Sequence, residues 1–264
     1  MTLDPRRWSA PVAIAHRGSR LLWPENTLES FSGAVEMGYR HLETDIRITK
    51  DEVIVCVHDE TVDRTTNGKG EVSSFTHEEL MSLDAGYRHG TRSGFEFRGI
   101  GVRIPSLEEV LSAFPEVSVV ADMKEDGLEE AFADLIERTG AHDRFIVGSF
   151  SDQRIEQFRQ LTGGKVSTST GPALARMWVL ASRVGRGGGG EASAIQVPPV
   201  IRGVRVVDEK LIDVAHASGM QVHVWTINDT DEMERLLDLG VDGLVTDRPD
   251  RLRKLLENRG EWES

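Results

Sequence analysis

The chain has 264 residues and carries 31 Lys and Arg against 44 Asp and Glu, a formal net charge of −13. This length suits one large core, and the negative charge argues against non-specific nucleic-acid binding through a basic surface. A single cysteine excludes an internal disulfide and disfavours a thiolate zinc site. The sequence has no apolar run long enough for a membrane span and no apolar core of a signal peptide. We therefore expect a cytoplasmic protein without stable membrane insertion.

Three short apolar runs near the N-terminus predict strands that carry or end in ionisable side chains. These side chains are His16 and Arg17 after 12–15, Glu43 and Asp45 within 40–48, and His58 after 53–57. Because successive strand residues point to opposite faces, Glu43 and Asp45 share one face. Two carboxylates on one face repel each other unless a cation lies between them, which favours a metal site.

Strand and helix patterns alternate along the remaining chain, with one interruption. The segment 60–104 is rich in Gly, Thr, Arg and Ser and contains only a short helix pattern at 76–83, which predicts a small insertion that caps the site. Ser106, with Glu109 three residues later, forms a capping box and predicts a helix start. The other predicted helices are 27–37, 128–139, 152–161, 173–183, 209–218, 229–239 and 251–257. The later predicted strands are 117–123, 145–150, 166–169, 194–197, 221–227 and 243–246.

About eight repeats of a strand followed by a helix indicate an α/β fold, a (β/α)8 TIM barrel. An open doubly wound sheet is the alternative, but no Gly-x-Gly-x-x-Gly turn follows a predicted strand. We predict one barrel domain over 1–264, with a cap insertion at about 60–104 after the second strand region. A barrel gathers the polar residues of its C-terminal strand ends at one mouth, which here would hold His16, Glu43, Asp45, His58, Asp122, Lys124, Gln196, Trp225 and Asp247.

Short motifs occur in a fixed order along the chain. They are His16-Arg17-Gly18, Glu25-Asn26-Thr27, Glu43-x-Asp45, His58-Asp59, Arg64-Thr65-Thr66-x-Gly68, Ile104-Pro105-Ser106-Leu107-Glu108, Trp225-Thr226-x-Asn228 and Asp242-Gly243-x-x-Thr246-Asp247. Together they resemble the glycerophosphodiester phosphodiesterase family, over roughly residues 12 to 255. The resemblance implies a barrel with a cap after the strand that bears His58. It also implies a bound divalent cation and hydrolysis of glycerophosphodiesters to sn-glycerol 3-phosphate and an alcohol.

The resemblance also implies roles for individual residues. These are His16 and His58 as general acid and base, Glu43 and Asp45 as metal ligands, Arg17 as the cation that holds the phosphate, and Lys124 as a cation near the phosphate. The third metal ligand of the family is usually Glu, and Asp122 stands in its place. Its carboxylate lies one methylene, about 1.5 Å, further back, so we expect Asp122 to bind the metal directly or through a water.

The chemistry of these residue types agrees with that expectation. A phosphodiester needs its non-bridging oxygens neutralised, an in-line nucleophile, and a proton for the leaving alkoxide. Oxygen ligands suit Mg²⁺ or Ca²⁺, and two histidines can exchange acid and base roles near neutral pH. The nucleophile is either water or the glycerol 2-hydroxyl, and which histidine is the acid is left open. Trp225, Phe150 and Gln196 are candidates for lining the substrate site.

Two other functions stay open. One is a lysophospholipid phosphodiesterase of the same barrel class, similar to lysophospholipase D. The other is a non-catalytic barrel scaffold, which the intact acid, base and carboxylate set disfavours. Some residues also have structural interpretations: a salt bridge for Lys124 with Asp122, a helix N-cap for Asn26, and core packing for His223 and Cys56.

Overall fold

The structure is a computed structural model that describes residues 8–9, 11–90 and 94–262. Its strands are β1 (Val12–His16), β2 (His41–Ile48), β3 (Ile54–Cys56), β4 (Ser118–Met123), β5 (Phe145–Gly148), β6 (Ser167–Thr168), β7 (Ala194–Val197), β8 (Val200–Ile201), β9 (Val204–Arg205), β10 (Gln221–Val224) and β11 (Gly243–Thr246). Its helices are α1 (Leu28–Glu36), α2 (His77–Met81), α3 (Leu107–Ala113), α4 (Glu129–Thr139), α5 (Asp152–Thr162), α6 (Pro172–Ser182), α7 (Glu209–Ala217), α8 (Thr230–Asp238) and α9 (Pro249–Arg259).

Eight of these strands form a parallel barrel in the order β6-β5-β4-β2-β1-β11-β10-β7. The two ends of this order meet through a parallel bridge between Ser169 and Ala194, where the Thr170 N–H donates to the Ala194 carbonyl at 3.0 Å. A helix follows each barrel strand, α1 after β1 and α3 to α9 after the others. The predicted TIM barrel is therefore confirmed.

Alternation along the strands separates two apolar layers. One cluster packs between the sheet and the helices and includes Ala13, Ala15 and Phe31. The other consists of Trp8, Val12, Ile14, Val120, Ile146, Ala194 and Val245. Because Val12, Ile14 and His16 are two residues apart, they share the face of β1 that points into the barrel. The barrel interior is thus apolar away from the mouth and polar at the mouth, where the C-terminal ends of the strands lie.

Helix starts follow the local sequence closely. Ser106 and Glu109 form the expected capping box at the start of α3. Asn26, however, is not an N-cap, because Thr27 takes that position and accepts a hydrogen bond from the Ser30 N–H. The Asn26 side chain is instead used at the barrel mouth, where it donates to a carboxylate of β2.

The third predicted strand is not part of the barrel. It forms β3, which pairs antiparallel with the end of β2, with Ile46 opposite Cys56. A short apolar run does not reveal strand direction, and the turn at 50–52 lets the chain fold back as a hairpin. Since β3 pairs with the C-terminal half of β2, His58 still arrives at the barrel mouth. Cys56 is buried as expected, and burial raises the pKa of its thiol to about 12.

The cap lies between β3 and α3 and contains α2, a 3-10 turn at Val72–Ser74 and mostly irregular chain. It has its own apolar cluster, formed by Val55, Val57, Val62, Val72, Leu80, Ala85, Val102 and Ile104. These contacts give the cap a packed interior separate from the main core. Residues 91–93 of the predicted insertion lie outside the described residues.

A hairpin of β8 and β9 follows β7 and was not predicted from the sequence. Its two-residue turn, Arg202-Gly203, has positive φ at both positions, 49° and 79°, as the turns of tight hairpins require. Two-residue strands carry too little alternation to be recognised. Over the described ranges, the structure contains no helix of the length and apolarity that crossing a bilayer requires.

Candidate active site

The strand register brings ionisable side chains together inside the barrel mouth. His16 of β1 pairs with Glu43 of β2, and Asp45 of β2 pairs with Asp122 of β4. All point into a cavity of about 510 Å³. Every residue that the sequence analysis gave a catalytic, metal-binding or substrate-binding role lines this cavity: His16, Arg17, Glu43, Asp45, His58, Asp122, Lys124, Phe150, Gln196 and Trp225.

His16 is held by a carboxylate from the opposite end of the sequence. Its Nδ1 donates to Asp247 Oδ1 at 2.7 Å, and the Asp247 side chain is fully buried. Asp247 Oδ2 accepts from Asn228 Nδ2 at 2.9 Å and from Arg20 Nε at 3.1 Å. Burial alone would raise the pKa of Asp247, but the hydrogen bonds from His16, Asn228 and Arg20 lower it to about 2. Asp247 is therefore a permanent anion that fixes the His16 ring.

The other ring nitrogen of His16 faces the carboxylates. Nε2 lies 3.8 Å from Glu43 Oε2. Burial lowers the pKa of His16, but Glu43 and the hydrogen bond to Asp247 outweigh burial, so the pKa is raised. A histidine with Nδ1 engaged and Nε2 directed at the cavity can exchange a proton there.

His58 has a similar partner, supplied by the next residue. Its Nδ1 donates to Asp59 Oδ1 at 2.6 Å. Asp59 Oδ2 in turn accepts from Arg64 Nε at 2.5 Å. Burial raises the pKa of Asp59, but the hydrogen bonds from Arg64 and His58 lower it to about 2. The His58 carbonyl accepts from Arg47 Nε at 3.1 Å, which anchors the backbone of this segment to β2.

Two cations contact the central carboxylate of β2. Arg17 Nε lies 2.9 Å from Asp45 Oδ2 as an ion pair, and Lys124 Nζ lies 2.8 Å from Asp45 Oδ1. Burial would raise the pKa of Asp45, but Lys124 and Arg17 lower it. Among the described residues, Glu43 accepts one hydrogen bond, from the backbone N–H of Arg17 at 3.0 Å. Burial and the adjacent Asp45 raise the pKa of Glu43 to about 7.

Asp122 completes the acidic group. Its Oδ2 accepts from Lys124 Nζ at 2.5 Å, so the salt bridge considered for this pair is present and also reaches Asp45. Its Oδ1 is buried and has no hydrogen-bond partner among the described residues. Burial raises the pKa of Asp122 in spite of Lys124.

The residues of this site match a metal in their donor atoms but not in their present positions. Glu43, Asp45 and Asp122 offer only oxygen atoms, one of them unpartnered, which is the donor chemistry of a hard divalent cation. Within the described ranges, however, no three His, Cys, Asp or Glu side chains converge closely enough to hold an ion. Lys124 lies between Asp45 and Asp122 instead. The donor set suits Mg²⁺ or Ca²⁺, while the Lys124 ammonium contacts two of the three carboxylates.

Aromatic residues form one wall of the cavity. The rings of Phe150 and Trp225 meet edge to face with centroids 5.7 Å apart, and Lys124 Nζ lies 5.4 Å from the Phe150 centroid. Both residues lie just beyond the strands, because β5 ends at Gly148 and β10 at Val224. Gln196 approaches Nδ1 of His223 at 3.4 Å, and His223 is buried in the core as expected.

Several residues of the site were given no role from the sequence. Asp247 was recognised only as a strand-end residue, and Asp59, Arg64, Arg20 and Asn228 carried no functional assignment. The motif pattern contained a signal for them, since most lie in or beside the quoted motifs. Their partners are visible only in three dimensions.

Known proteins and one family model resemble this chain over most of its length. The model of the glycerophosphoryl diester phosphodiesterase family matches residues 16–251. The Mycobacterium tuberculosis protein named "Probable glycerophosphodiester phosphodiesterase 2" is 33% identical over 268 residues, covering 99% of this chain and 97% of the relative. A glycerophosphodiester phosphodiesterase of Caldanaerobacter subterraneus is 32% identical over 257 residues, covering 94% and 99%.

A solved structure shows the same likeness. The crystal structure of a glycerophosphodiester phosphodiesterase from Agrobacterium tumefaciens superimposes with a TM-score of 0.74 at 26% identity, covering 91% of this chain and 98% of that one. The family match spans most of the sequence and includes every residue that we place at the cavity. This chain belongs to the glycerophosphoryl diester phosphodiesterase family.

Proposed function

We propose that the protein hydrolyses glycerophosphodiesters to sn-glycerol 3-phosphate and an alcohol, using a divalent cation and two histidines. Membership of the family makes it a glycerophosphodiester phosphodiesterase. The observation that supports the finer mechanism is the pair of histidines, each with Nδ1 held by a carboxylate, on one cavity with Arg17 and Lys124.

Proton transfer falls to the Nε2 atoms of the two histidines. Asp247 and Asp59 keep the proton of each ring on Nδ1, so Nε2 of a neutral ring accepts a proton and Nε2 of a charged ring donates one. One histidine would deprotonate the nucleophile and the other would protonate the leaving alkoxide. The two can exchange these roles during one reaction.

The negative charge of the phosphate would be neutralised by a cation bound to the carboxylates and by two basic side chains. Glu43, Asp45 and Asp122 would hold the cation, which would supply neutralisation of the non-bridging oxygens. The guanidinium of Arg17 and the ammonium of Lys124 line the same cavity and would bind phosphate oxygens directly. Asp122 Oδ1 is buried without a hydrogen-bond partner among the described residues, and the pKa values of Glu43 and Asp122 are raised; both observations support a cation beside this group.

The proposal is tested by measuring sn-glycerol 3-phosphate release from glycerophosphocholine, glycerophosphoethanolamine and glycerophosphoglycerol. We expect release to stop after chelator treatment and to return with Mg²⁺ or Ca²⁺. Release that is unaffected by chelation would contradict the cation. Rapid-quench trapping of a cyclic phosphate would identify the 2-hydroxyl as the nucleophile, and its absence under sensitive detection would identify water.

A lysophospholipid substrate is the second candidate, favoured by the apolar side of the cavity. Pro172, Ala175, Pro198 and Ile201 line that side, and Ile201 is also exposed. An acyl chain could lie along these residues while the phosphate occupies the polar side. Choline release from lysophosphatidylcholine, compared with glycerophosphocholine at equal concentration, tests this alternative. A preference for the lysolipid would replace the first substrate class.

A further inference from the structure

We propose that Arg64, on the cap, is a positioning residue that joins His58 to Arg17 through the carboxylates of Asp59 and Glu25. The inference rests on the proposed function of these two groups. Arg64 itself is not among the residues that line the large cavity, so it acts through its neighbours.

The guanidinium of Arg64 holds two carboxylates at once. Its Nε donates to Asp59 Oδ2 at 2.5 Å, while Nη1 and Nη2 donate to Glu25 Oε2 and Oε1 at 2.8 and 2.7 Å. The contact with Glu25 is therefore bidentate. Only arginine presents three donors in one rigid plane, so lysine could not replace this geometry.

Each carboxylate continues to a group of the site. Asp59 Oδ1 accepts from Nδ1 of His58 at 2.6 Å, and Glu25 Oε1 accepts from Nη1 of Arg17 at 2.8 Å. The hydrogen bonds thus form one path from His58 to Arg17. The path crosses from the cap to the loop between β1 and α1.

This arrangement differs from an ordinary surface ion pair. Exposed pairs contribute little because water and salt screen them. The Glu25 side chain is only 10% exposed and lies between two guanidinium groups. Burial alone would raise the pKa of Glu25, yet the hydrogen bond from Arg64 and the charge of Arg17 lower it. Among the described residues, removal of Arg64 would leave Arg17 as the partner of Glu25 and His58 as the partner of Asp59.

The fold of the cap sets the position of Arg64. Val62, two residues earlier, is fully buried in the cap cluster, and its N–H donates to the Gly70 carbonyl at 3.0 Å. Thr66, two residues later, donates from its hydroxyl to the Val62 carbonyl at 2.9 Å. The loop that carries Arg64 is thus closed on itself. Through Arg64, the cap thus contacts a carboxylate of the loop between β1 and α1.

The kinetic expectation follows from that geometry. Misplaced orienting partners typically cost about 10- to 100-fold in activity, and because Arg64 acts through Asp59 and Glu25, Arg64→Ala should lower kcat by about tenfold. KM should change less, because Arg64 does not line the large cavity. Arg64→Lys should restore little, since it lacks the fork, whereas millimolar guanidinium added to Arg64→Ala should restore part of the activity.

Arg98→Ala is the matched control. Arg98 is also an exposed cap arginine, but it packs on the rings of Tyr87 and Phe95 and donates to the Tyr87 carbonyl. We expect its kcat to equal that of the wild type. A second readout is independent of activity: the Nδ1 proton of His58 in ¹⁵N-histidine NMR spectra. This proton should exchange faster with water in Arg64→Ala and should be unchanged in Arg98→Ala.

Each outcome decides the inference. A loss of kcat and of the protected His58 proton in Arg64→Ala only, with partial rescue by guanidinium, supports it. Arg64→Ala that matches Arg98→Ala in both readouts overturns it. If Arg64→Ala lowers the melting temperature of the protein, the variant Glu25→Gln decides. The same loss of kcat in Glu25→Gln supports the path, and a wild-type kcat overturns it. If the wild type hydrolyses no diester, the proposed function fails, and the NMR comparison alone decides the role of Arg64.

Discussion

The two histidines of the site have the same kind of partner, but two different regions of the molecule supply it. Asp247, which holds His16, lies 231 residues away and follows β11, beside β1 in the barrel. Asp59, which holds His58, is the next residue and belongs to the cap. The Asp247 side chain is 0% exposed, whereas those of His58 and Asp59 are 36% and 29% exposed.

The two histidine rings are therefore oriented in different ways, one by a buried carboxylate of the barrel and the other by a partly exposed carboxylate of the cap. The barrel holds Asp247 with buried hydrogen bonds, including one from the Ser19 hydroxyl to the Asp247 carbonyl at 2.7 Å. The cap holds Asp59 with one arginine. Since an exposed ion pair is weakened by salt and a buried one much less, the His58 side should be the more sensitive to its surroundings.

The largest expected effect comes from removing either ring. His16→Ala and His58→Ala should each lower kcat by about 10²- to 10⁴-fold, the usual contribution of a general acid or base. Steady-state release of sn-glycerol 3-phosphate is the measurement, with circular dichroism as the check of folding. If only one substitution has this effect, the two histidines do not share the chemistry.

Removing the carboxylates should separate the two regions. Asp247→Asn should lower kcat by about 100-fold and Asp59→Asn by about 10-fold, within the range found for orienting partners. Water can reach the half-exposed His58 ring and replace part of the lost hydrogen bond, but it cannot reach the buried pair as easily. Equal losses of kcat would show that exposure does not matter here.

The arginines that hold the two carboxylates give a finer comparison. Arg20→Ala should lower kcat by less than about tenfold, because Asn228 continues to hold Asp247. Arg64→Ala should have the larger effect, since Asp59 has no such second donor among the described side chains. Raising the salt concentration should reduce this gap, because salt weakens the more exposed contact of Arg64 with Asp59 in the wild type. A larger loss in Arg20→Ala would reverse the order of the two regions.

His223 shows what happens when a buried histidine has no hydrogen bond to a carboxylate among the described residues. It bonds to Gln221 Oε1 at 3.0 Å, and burial lowers its pKa to about 4, whereas the carboxylates raise the pKa of His16. Between pH 6.5 and about 4 the unfolded chain binds a proton at this position and the folded chain does not. The part of the stability that depends on a neutral His223 is therefore fully present above pH 6.5 and is lost as the pH falls toward about 4.

Between pH 6.5 and about 4, this difference in proton binding should lower the free energy of unfolding by about 1.4 kcal/mol for each pH unit. Urea unfolding of the wild type and of His223→Gln at pH 7 and pH 5 measures it. The variant should lose less stability than the wild type between the two pH values. An identical pH dependence of the two proteins would show that His223 is protonated in the folded state.

The sequence by itself was sufficient for the barrel and for the content of its mouth. Buried parallel strands must be apolar along most of their length, so the residues that interrupt this pattern at strand ends, such as His16, Glu43, Asp45 and Asp122, were visible at once. Local capping was readable too: Ser106 and Glu109 interact over three residues, within the reach of a sequence pattern.

Only the tertiary structure decided the direction of β3, the use of Asn26 and the partners of the histidines. A three-residue strand has the same composition whether it pairs parallel or antiparallel. The side chain of Asn26 donates to Asp45 and does not cap a helix. Contacts such as His16 with Asp247 and Arg64 with Glu25 join positions that are distant in sequence. Such contacts depend on barrel closure and on the packing of the cap, and no local periodicity records them.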